Sequence, residues 1–195
     1  MKKDILYRLF SHIPTLETDR LILRGMRVSD AEDMYAYAKR PSVTEYLTWN
    51  PHGSVEETRE YLTYVAQRYR TGDFYDWSVV DKESGHMVGT CGFTSFSCPN
   101  DSAEIGYVLN PDYQGRGLAT EAVRRVLEFG FDELGLHRIE AHFMEGNDAS
   151  RRLMERVGMT FEGVRRGEML IKGEYRDIGV CSILRSEALK KKIFE

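Results

Sequence analysis

The apolar positions of this chain change period along its length, and the changes divide it into elements. Residues 20–28 (RLILRGMRV) contain a strand-like run. Ser29-Asp30 then reads as a helix cap, and AEDMYAYAKR follows it as a helix that stops at Pro41. The stretch 42–53 is rich in turn residues and carries Tyr46 and Trp49. Ser54 opens a second helix, SVEETREYLTYVAQRYR, with capping-box spacing from Ser54 to Glu57 and an end near Gly72. WSVVD (77–81) and MVGTCGFTSF (87–96) flank the turn KESGH, a hairpin pattern. AEIGYVLN (103–110) reads as another strand and runs into the loop PDYQGRG. From Leu118 to about Leu134 the apolar residues Ala119, Ala122, Val123, Val126, Leu127 and Phe129 recur at helical spacing. A strand, HRIEAHFM (137–144), and a short helix, DASRRLMERVG, closing at Gly158, come next. Two last strands are expected near 160–170 and 175–184.

Residues 1–18 read as an arm and 186–195 as a charged tail. The order is β, two helices, an antiparallel run, then strand–helix–strand–helix–strand–strand. That order predicts an α/β sheet, partly antiparallel and partly parallel. With no repeat or linker in its 195 residues, the chain reads as a single domain, 1–195.

Composition narrows the function classes. A hydrophobic content of 42% with only five prolines supports a folded core rather than disorder. The net charge of −4 argues against a nucleic-acid partner, which needs a basic face, and is compatible with a cationic substrate such as an amine. No apolar stretch reaches the ~20 residues of a membrane span, so no membrane partner is expected. Three cysteines, Cys91, Cys98 and Cys181, fit neither a zinc pattern nor a disulfide framework, which suggests a reducing, cytoplasmic setting. Cys91 and Cys181 read as buried strand residues. His137 and His142, five apart on one strand, face opposite sides, so no metal site is expected.

The stretch EIGYVLNPDYQGRGLATEAV (104–123) carries the candidate chemistry. A strand runs into a glycine-rich loop and then a helix, whose first N–H groups lack internal partners and carry partial positive charge. An anion such as phosphate is a natural ligand there. Gly115 and Gly117 allow close approach and positive φ, Arg116 offers a charge and Thr120 a hydroxyl. A Walker loop would need Lys and then Ser or Thr where Leu118 and Ala119 stand, and a dinucleotide loop would need glycine where Thr120 stands. On its own, the loop is also compatible with a plain helix cap built on turn glycines.

Gln114-Gly115-Arg116-Gly117-Leu118-Ala119 resembles the Q/R-x-x-G-x-G/A motif of the Gcn5-related N-acetyltransferase (GNAT) superfamily. The resemblance runs from about residue 16 to 187. The opening LETDRLILR, the block IGYVLNPDYQGRGLATEA, the block N-x-x-S-x-R-L-M-E-x-x-G-M (147–159) and the late FEGVRR resemble the RimJ/RimL-like branch, which includes ribosomal-protein N-terminal acetyltransferases. The resemblance implies a single-domain GNAT-like α/β fold: a mixed, mostly antiparallel central sheet, splayed into a V between two central strands and flanked by helices. It implies acetyl-CoA as co-substrate, with the pyrophosphate on the backbone of 115–120 (Gly115, Arg116, Gly117, Leu118, Ala119 and Thr120, after Gln114). The pantetheine arm would run along the strand that ends at Val108 and Leu109, and this strand would carry a bulge. Asn147 is implied in positioning the pantetheine or the substrate.

Acetyl transfer to an amine needs a neutral amine, a polarised carbonyl and a proton for the leaving thiolate. An α-amine of pKa near ~8 is roughly one-tenth neutral at pH 7, a cost of about 1.4 kcal/mol, whereas a lysine near ~10.4 costs about 4.6 kcal/mol. A weak base therefore suffices for an N-terminal acceptor. Two acids are candidates. Glu104 is a base on the resemblance and a cross-strand charge partner otherwise. Glu168 is a water-holding base on the resemblance and an exposed strand residue otherwise. Ser150 is implied beside the cofactor sulfur as a proton donor, because SRRLMERVGM offers no tyrosine for that task. Asn147 and Ser150 also fit a helix N-cap and its third position, and both readings can hold together. Tyr46, Trp49 and Tyr75 are candidates for an acceptor pocket or for ordinary core. The acceptor is a protein N-terminus or a small amine, and the molecule a monomer or homodimer. The competing class is an acyl-CoA-binding sensor without turnover.

Overall fold

The computed structural model describes residues 3–191. The first two residues of the expected arm and the last four of the expected tail therefore lie outside the described residues. Strands β1 (Leu16–Glu17), β2 (Leu21–Arg24), β3 (Tyr75–Asp81), β4 (Met87–Ser97), β5 (Ser102–Leu109), β6 (Arg138–Met144), β7 (Thr160–Ile171) and β8 (Glu174–Leu184) form one sheet in the order β1-β2-β3-β4-β5-β6-β8-β7. Every neighbouring pair is antiparallel except β5–β6, which is parallel. The fold is thus a single-domain, GNAT-like α/β fold with a mixed, mostly antiparallel sheet flanked by helices.

The helices are α1 (Lys3–Phe10), α2 (Ala31–Ala38), α3 (Pro41–Thr44), α4 (Val55–Arg70), α5 (Leu118–Asp132), α6 (Asp148–Arg156) and α7 (Arg185–Lys191). No helix among the described residues is long and apolar enough to cross a membrane. Two helices lie where the sequence suggested an arm and a tail. Leu6, Leu9 and Phe10 of α1 stand at i, i+3 and i+4, and Phe10 is fully buried, meeting Tyr75, Trp77 and Phe129 edge-on. Ala188 of α7 is buried in the same core. That core joins one face of the sheet to α1, α5 and α6. A second, smaller core packs Met34 and Tyr37 of α2 and Leu62 and Val65 of α4 against Met26 and Met87. Ser54 caps α4 as expected, its Oγ accepting from the Glu57 N–H at 3.1 Å, while the Glu57 carboxylate returns to the Gly53 N–H at 2.6 Å. Cys91 and Cys181 are buried strand residues, as expected.

Two local features shape the centre of the sheet. Phe93 pairs with Ile105 but Ser95 pairs with Glu104, so Thr94 is an extra residue in β4. The resemblance had put the bulge in the strand that ends at Leu109. It lies one strand earlier, at Thr94, next to the stretch where Gly89 and Gly106 let β4 and β5 press together. At Gly89 a Cβ would lie 2.1 Å from the Val108 carbonyl oxygen and 3.1 Å from the Leu109 Cα.

The loop before α5 is pinned from the opposite end of the chain. Glu121 Oε1 accepts from Thr18 Oγ1 at 2.6 Å and from the Arg20 N–H at 3.0 Å, and its Oε2 accepts from Arg20 Nε at 2.7 Å. Arg20 Nη1 reaches on to the Arg116 carbonyl at 2.8 Å. Burial opposes the Glu121 charge, yet the hydrogen bonds from Thr18 and Arg20 outweigh it and hold the carboxyl below its usual range.

Two predictions follow from this packing. Gly89→Ala sets a methyl against backbone rather than a movable side chain, and should cost about 1–3 kcal/mol; an unchanged urea midpoint would refute the close approach. Glu121 has a folded pKa below its unfolded value, so its contribution is present above pH 4.5 and is lost as pH falls through the folded value. Glu121→Gln should therefore be less stable than wild type near pH 7, by on the order of 1 kcal/mol. The gap should narrow as the pH falls below 4.5, as followed by thermal melts across pH.

Candidate active site

The parallel β5–β6 pairing runs from Ser102↔Arg138 to Ile105↔Ala141 and stops there. Beyond it, β5 continues beside β4 as far as Leu109, while β6 continues beside β8 as far as Met144. Residues 106–109 of β5 therefore have no strand partner on the β6 side, and the two strands open into a V. A groove of about 1490 Å³ fills this V and continues past the start of α5. It is lined by Gly106, Tyr107, Val108 and Leu109 on one side and by His142, Phe143 and Met144 on the other.

At the α5 end the backbone is built to receive an anion. Gly115 has φ 75° and Gly117 φ 77°, left-handed values that glycine adopts without penalty. Gly117 is the N-cap and offers no side chain, so the amides that open α5 are not capped by their own N-cap residue. Gln114, Gly115, Gly117, Leu118, Ala119 and Thr120 all line the groove. Arg116 does not. Its Nη2 bonds Glu83 at 3.1 Å and its guanidinium stacks over the Tyr113 ring. Arg124, Arg152 and Arg156 line the groove instead and place positive charge along it.

Ser150 stands on the first turn of α6. Asn147 is the N-cap of that helix, its Oδ1 accepting from the Ser150 N–H at 3.1 Å, so the capping reading of this pair holds. The Ser150 hydroxyl lies 2.7 Å from the Tyr107 hydroxyl, and either oxygen can be the donor. Tyr107 was not among the residues singled out from sequence. The helix stretch supplies no tyrosine, but β5 supplies one from 43 residues upstream. Its alternation with Ile105, which faces the α5–α6 core, is the signal that could have found it. Burial pushes the Tyr107 hydroxyl above its ordinary pKa, with the Ser150 bond opposing, so it stays protonated at neutral pH.

Glu104 lines the groove on the other face of β5, with its Oε1 3.3 Å from His142 Nδ1. His142 is the second groove residue that sequence reasoning passed over. His137 precedes β6 and is exposed, whereas His142 lies within the strand and lines the groove. Glu168 lies elsewhere. The β7–β8 register slips between Arg165 and Met169, and Glu168 pairs with Arg165 Nη1 at 2.9 Å, outside the groove lining. Its neighbours Met169 and Ile171 do line the groove.

Of the three aromatic candidates, Tyr46 lines the groove and packs on the cluster of Met144, Ile171 and Ile178. Tyr75 belongs to the main core, edge-on to Phe10 and Phe96. Trp49 packs on the second core and against His52. For these two the ordinary-core reading holds, since Tyr75 packs on α1 and Trp49 on the second core. The β7–β8 hairpin is tied over the groove by Lys172, whose Nζ donates to the Thr44 carbonyl at 2.6 Å. The groove thus has cationic side chains and glycine-loop backbone at α5, a hydroxyl pair on one face of β5, and the Glu104 carboxylate on the other.

Comparison with known proteins agrees with this geometry. Residues 20–160 match the family model of the acetyltransferase (GNAT) domain. The chain is 35% identical over 173 residues to the N-acetyltransferase p20 of Bacillus licheniformis, covering 89% of this chain and 97% of that protein. Among solved structures, a GNAT-family acetyltransferase from Bacillus anthracis is similar with a TM-score of 0.79 at 29% identity, covering 89% of this chain and 100% of that one. A Gcn5-related N-acetyltransferase from Brucella melitensis has a TM-score of 0.82 at 28% identity, covering 93% and 84%. A glycine-rich helix start, an opened parallel strand pair and a family match over most of the chain lead to one conclusion: this protein belongs to the GNAT family and is an acetyltransferase.

Proposed function

We propose that the enzyme transfers the acetyl group of acetyl-CoA directly to a primary amine, and that the amine is the N-terminal α-amine of a protein. The observation that carries the reading is the V between β5 and β6, with a carboxylate on one face and a hydroxyl pair on the other.

The residues fit the co-substrate. Free backbone on β5 at 106–109 suits a pantetheine arm pairing as an added strand. The amides from Gly115 to Thr120 suit the pyrophosphate, and Arg124, Arg152 and Arg156 add charge along the phosphate end. Asn147 fixes Ser150 at the open end of the V. Acetyl-CoA supplies an activated acyl group, and the chain does the rest. Glu104 takes the proton of the incoming amine, directly or through one water. Ser150 donates a proton to the departing sulfur, and Tyr107, kept neutral by burial, backs that donation. Glu168, held by Arg165 outside the groove, has no part in this scheme.

The acceptor end supports a peptide terminus over a polyamine. Val43, Leu47, Met144, Met169, Ile171 and Ile178 line the same groove as Glu104, so an ammonium at Glu104 shares the groove with a largely apolar stretch of wall. Among relatives, the chain is 27% identical to the [ribosomal protein uS5]-alanine N-acetyltransferase of Escherichia coli, and 26% identical to the spermidine N(1)-acetyltransferase of Vibrio cholerae. The apolar stretch of the groove favours the first kind of acceptor, in keeping with the RimJ/RimL-like branch. Three cysteines without a disulfide pattern support a reducing, cytoplasmic setting.

Thiol release from acetyl-CoA should follow addition of peptides with free N-termini and stay at background with N-acetylated peptides and with spermidine. Release with polyamines alone would overturn the acceptor reading. Glu104→Gln should lower kcat/KM by about 10²-fold and Ser150→Ala by about tenfold. Neither should change the calorimetric Kd for acetyl-CoA by more than about threefold. Full activity in Glu104→Gln would remove Glu104 as the base.

A further inference from the structure

Glu104 stands in a chain of charged groups that the transfer reaction, as drawn above, leaves without a task. The β5–β6 register sets Glu104 level with Glu140, and alternation puts His142 on the same face of β6 as Glu140. The His142 ring lies between the two acids, with Nδ1 3.3 Å from Glu104 Oε1 and Nε2 3.5 Å from Glu140 Oε1. Nε2 is buried and has no hydrogen-bond partner in this geometry. Glu140 is itself held, its Oε2 2.9 Å from Arg138 Nη2 and 3.3 Å from Arg138 Nε. Arg138 is braced in turn by Glu162 at 2.6 and 2.7 Å and by the buried Ser182 hydroxyl at 2.8 Å.

Carboxylates only accept hydrogen bonds, and a neutral imidazole has a single N–H. The ring is wedged between the two carboxylates, with Nδ1 facing Glu104 and Nε2 facing Glu140. Glu104 Oε1 faces the ring and Oε2 accepts from the Ser95 hydroxyl at 3.5 Å, so the carboxylate is contacted at both oxygens. Buried polar atoms left short of partners collect where function requires them.

We propose that His142 is a positioning residue for Glu104, and that Glu140, fixed by Arg138, holds the ring in place. This rests on Glu104 being the base. In the step it serves, the N–H bond of the acceptor amine breaks as an O–H bond forms on Glu104, directly or through one water. His142 takes no part in the proton transfer itself. The arrangement gives the base a fixed aim, and it extends the support to β7 and β8, because Glu162 and Ser182 brace the arginine.

The test is a double-mutant cycle on the full chain, using acetyl-CoA and the best peptide from the thiol-release panel. His142→Ala should lower kcat by about 10–100-fold, the loss that supporting partners of a reacting group commonly cause. KM and calorimetric Kd for acetyl-CoA should be unchanged. Free imidazole should restore part of kcat, which repair of a merely loosened fold would not do. In the Glu104→Gln background, His142→Ala should cause no further loss. His142→Gln, which retains an N–H donor, checks the result should the alanine variant fold poorly, and should lose less. Glu140→Gln should lower kcat in the same direction, and Glu140→Asp should recover part of it. Wild-type kcat in both His142 variants would overturn the proposal, as would losses that multiply with that of Glu104→Gln. An impaired Glu104→Gln with unimpaired His142 variants sinks this inference alone, whereas a fully active Glu104→Gln sinks the base assignment beneath it.

Discussion

The rest of the structure depends on where one parallel strand pair stops. Backbone N–H and C=O groups must be paired, and in a sheet each strand usually finds partners on both sides. Here β5 loses its partner on one side after Ile105, while β6 turns its remaining length toward β8. The result is a groove floored by unpaired backbone between two strands that are each secured on their outer side. That backbone is held in the middle of an eight-stranded sheet, so the opening is rigid rather than a frayed edge.

Several features keep the opening in register. The bulge at Thr94 shifts β4 against β5 where the parallel pairing ends, and Gly89 brings the two backbones close farther along. The Glu121 cluster ties the segment before β2 to the first turn of α5, so the glycine loop is fixed from both ends. Lys172 latches the β7–β8 hairpin to the end of α3 across the apolar part of the groove. The Glu121 and Lys172 contacts join segments 103 and 128 residues apart in the chain.

Much of the fold was legible in the chain. The central strands, α4 with its Ser54 cap, and α5 fall within a few residues of where period and capping signals put them. The helices α1 and α7 were read as arm and tail because each is short and buries few residues, although Leu6, Leu9 and Phe10 carry a helical spacing. The glycine loop was legible as an anion-binding helix start, since that property is local. The partners within the groove were not. Tyr107 meets Ser150, and Glu104 meets His142, only through the β5–β6 register, and periodicity does not report which strands pair in parallel. Glu168 shows the converse. A match of short motifs put it with the acids, but the irregular β7–β8 pairing turns it to Arg165.

The most direct test is amide hydrogen exchange, resolved to single residues, with and without saturating acetyl-CoA. If unpaired β5 backbone and the open start of α5 form the co-substrate site, exchange should slow within residues 106–109 and 115–120. Amides on the outer face of α4 should exchange as before. Acetyl-CoA bound at saturation with no protection in either segment would contradict the account.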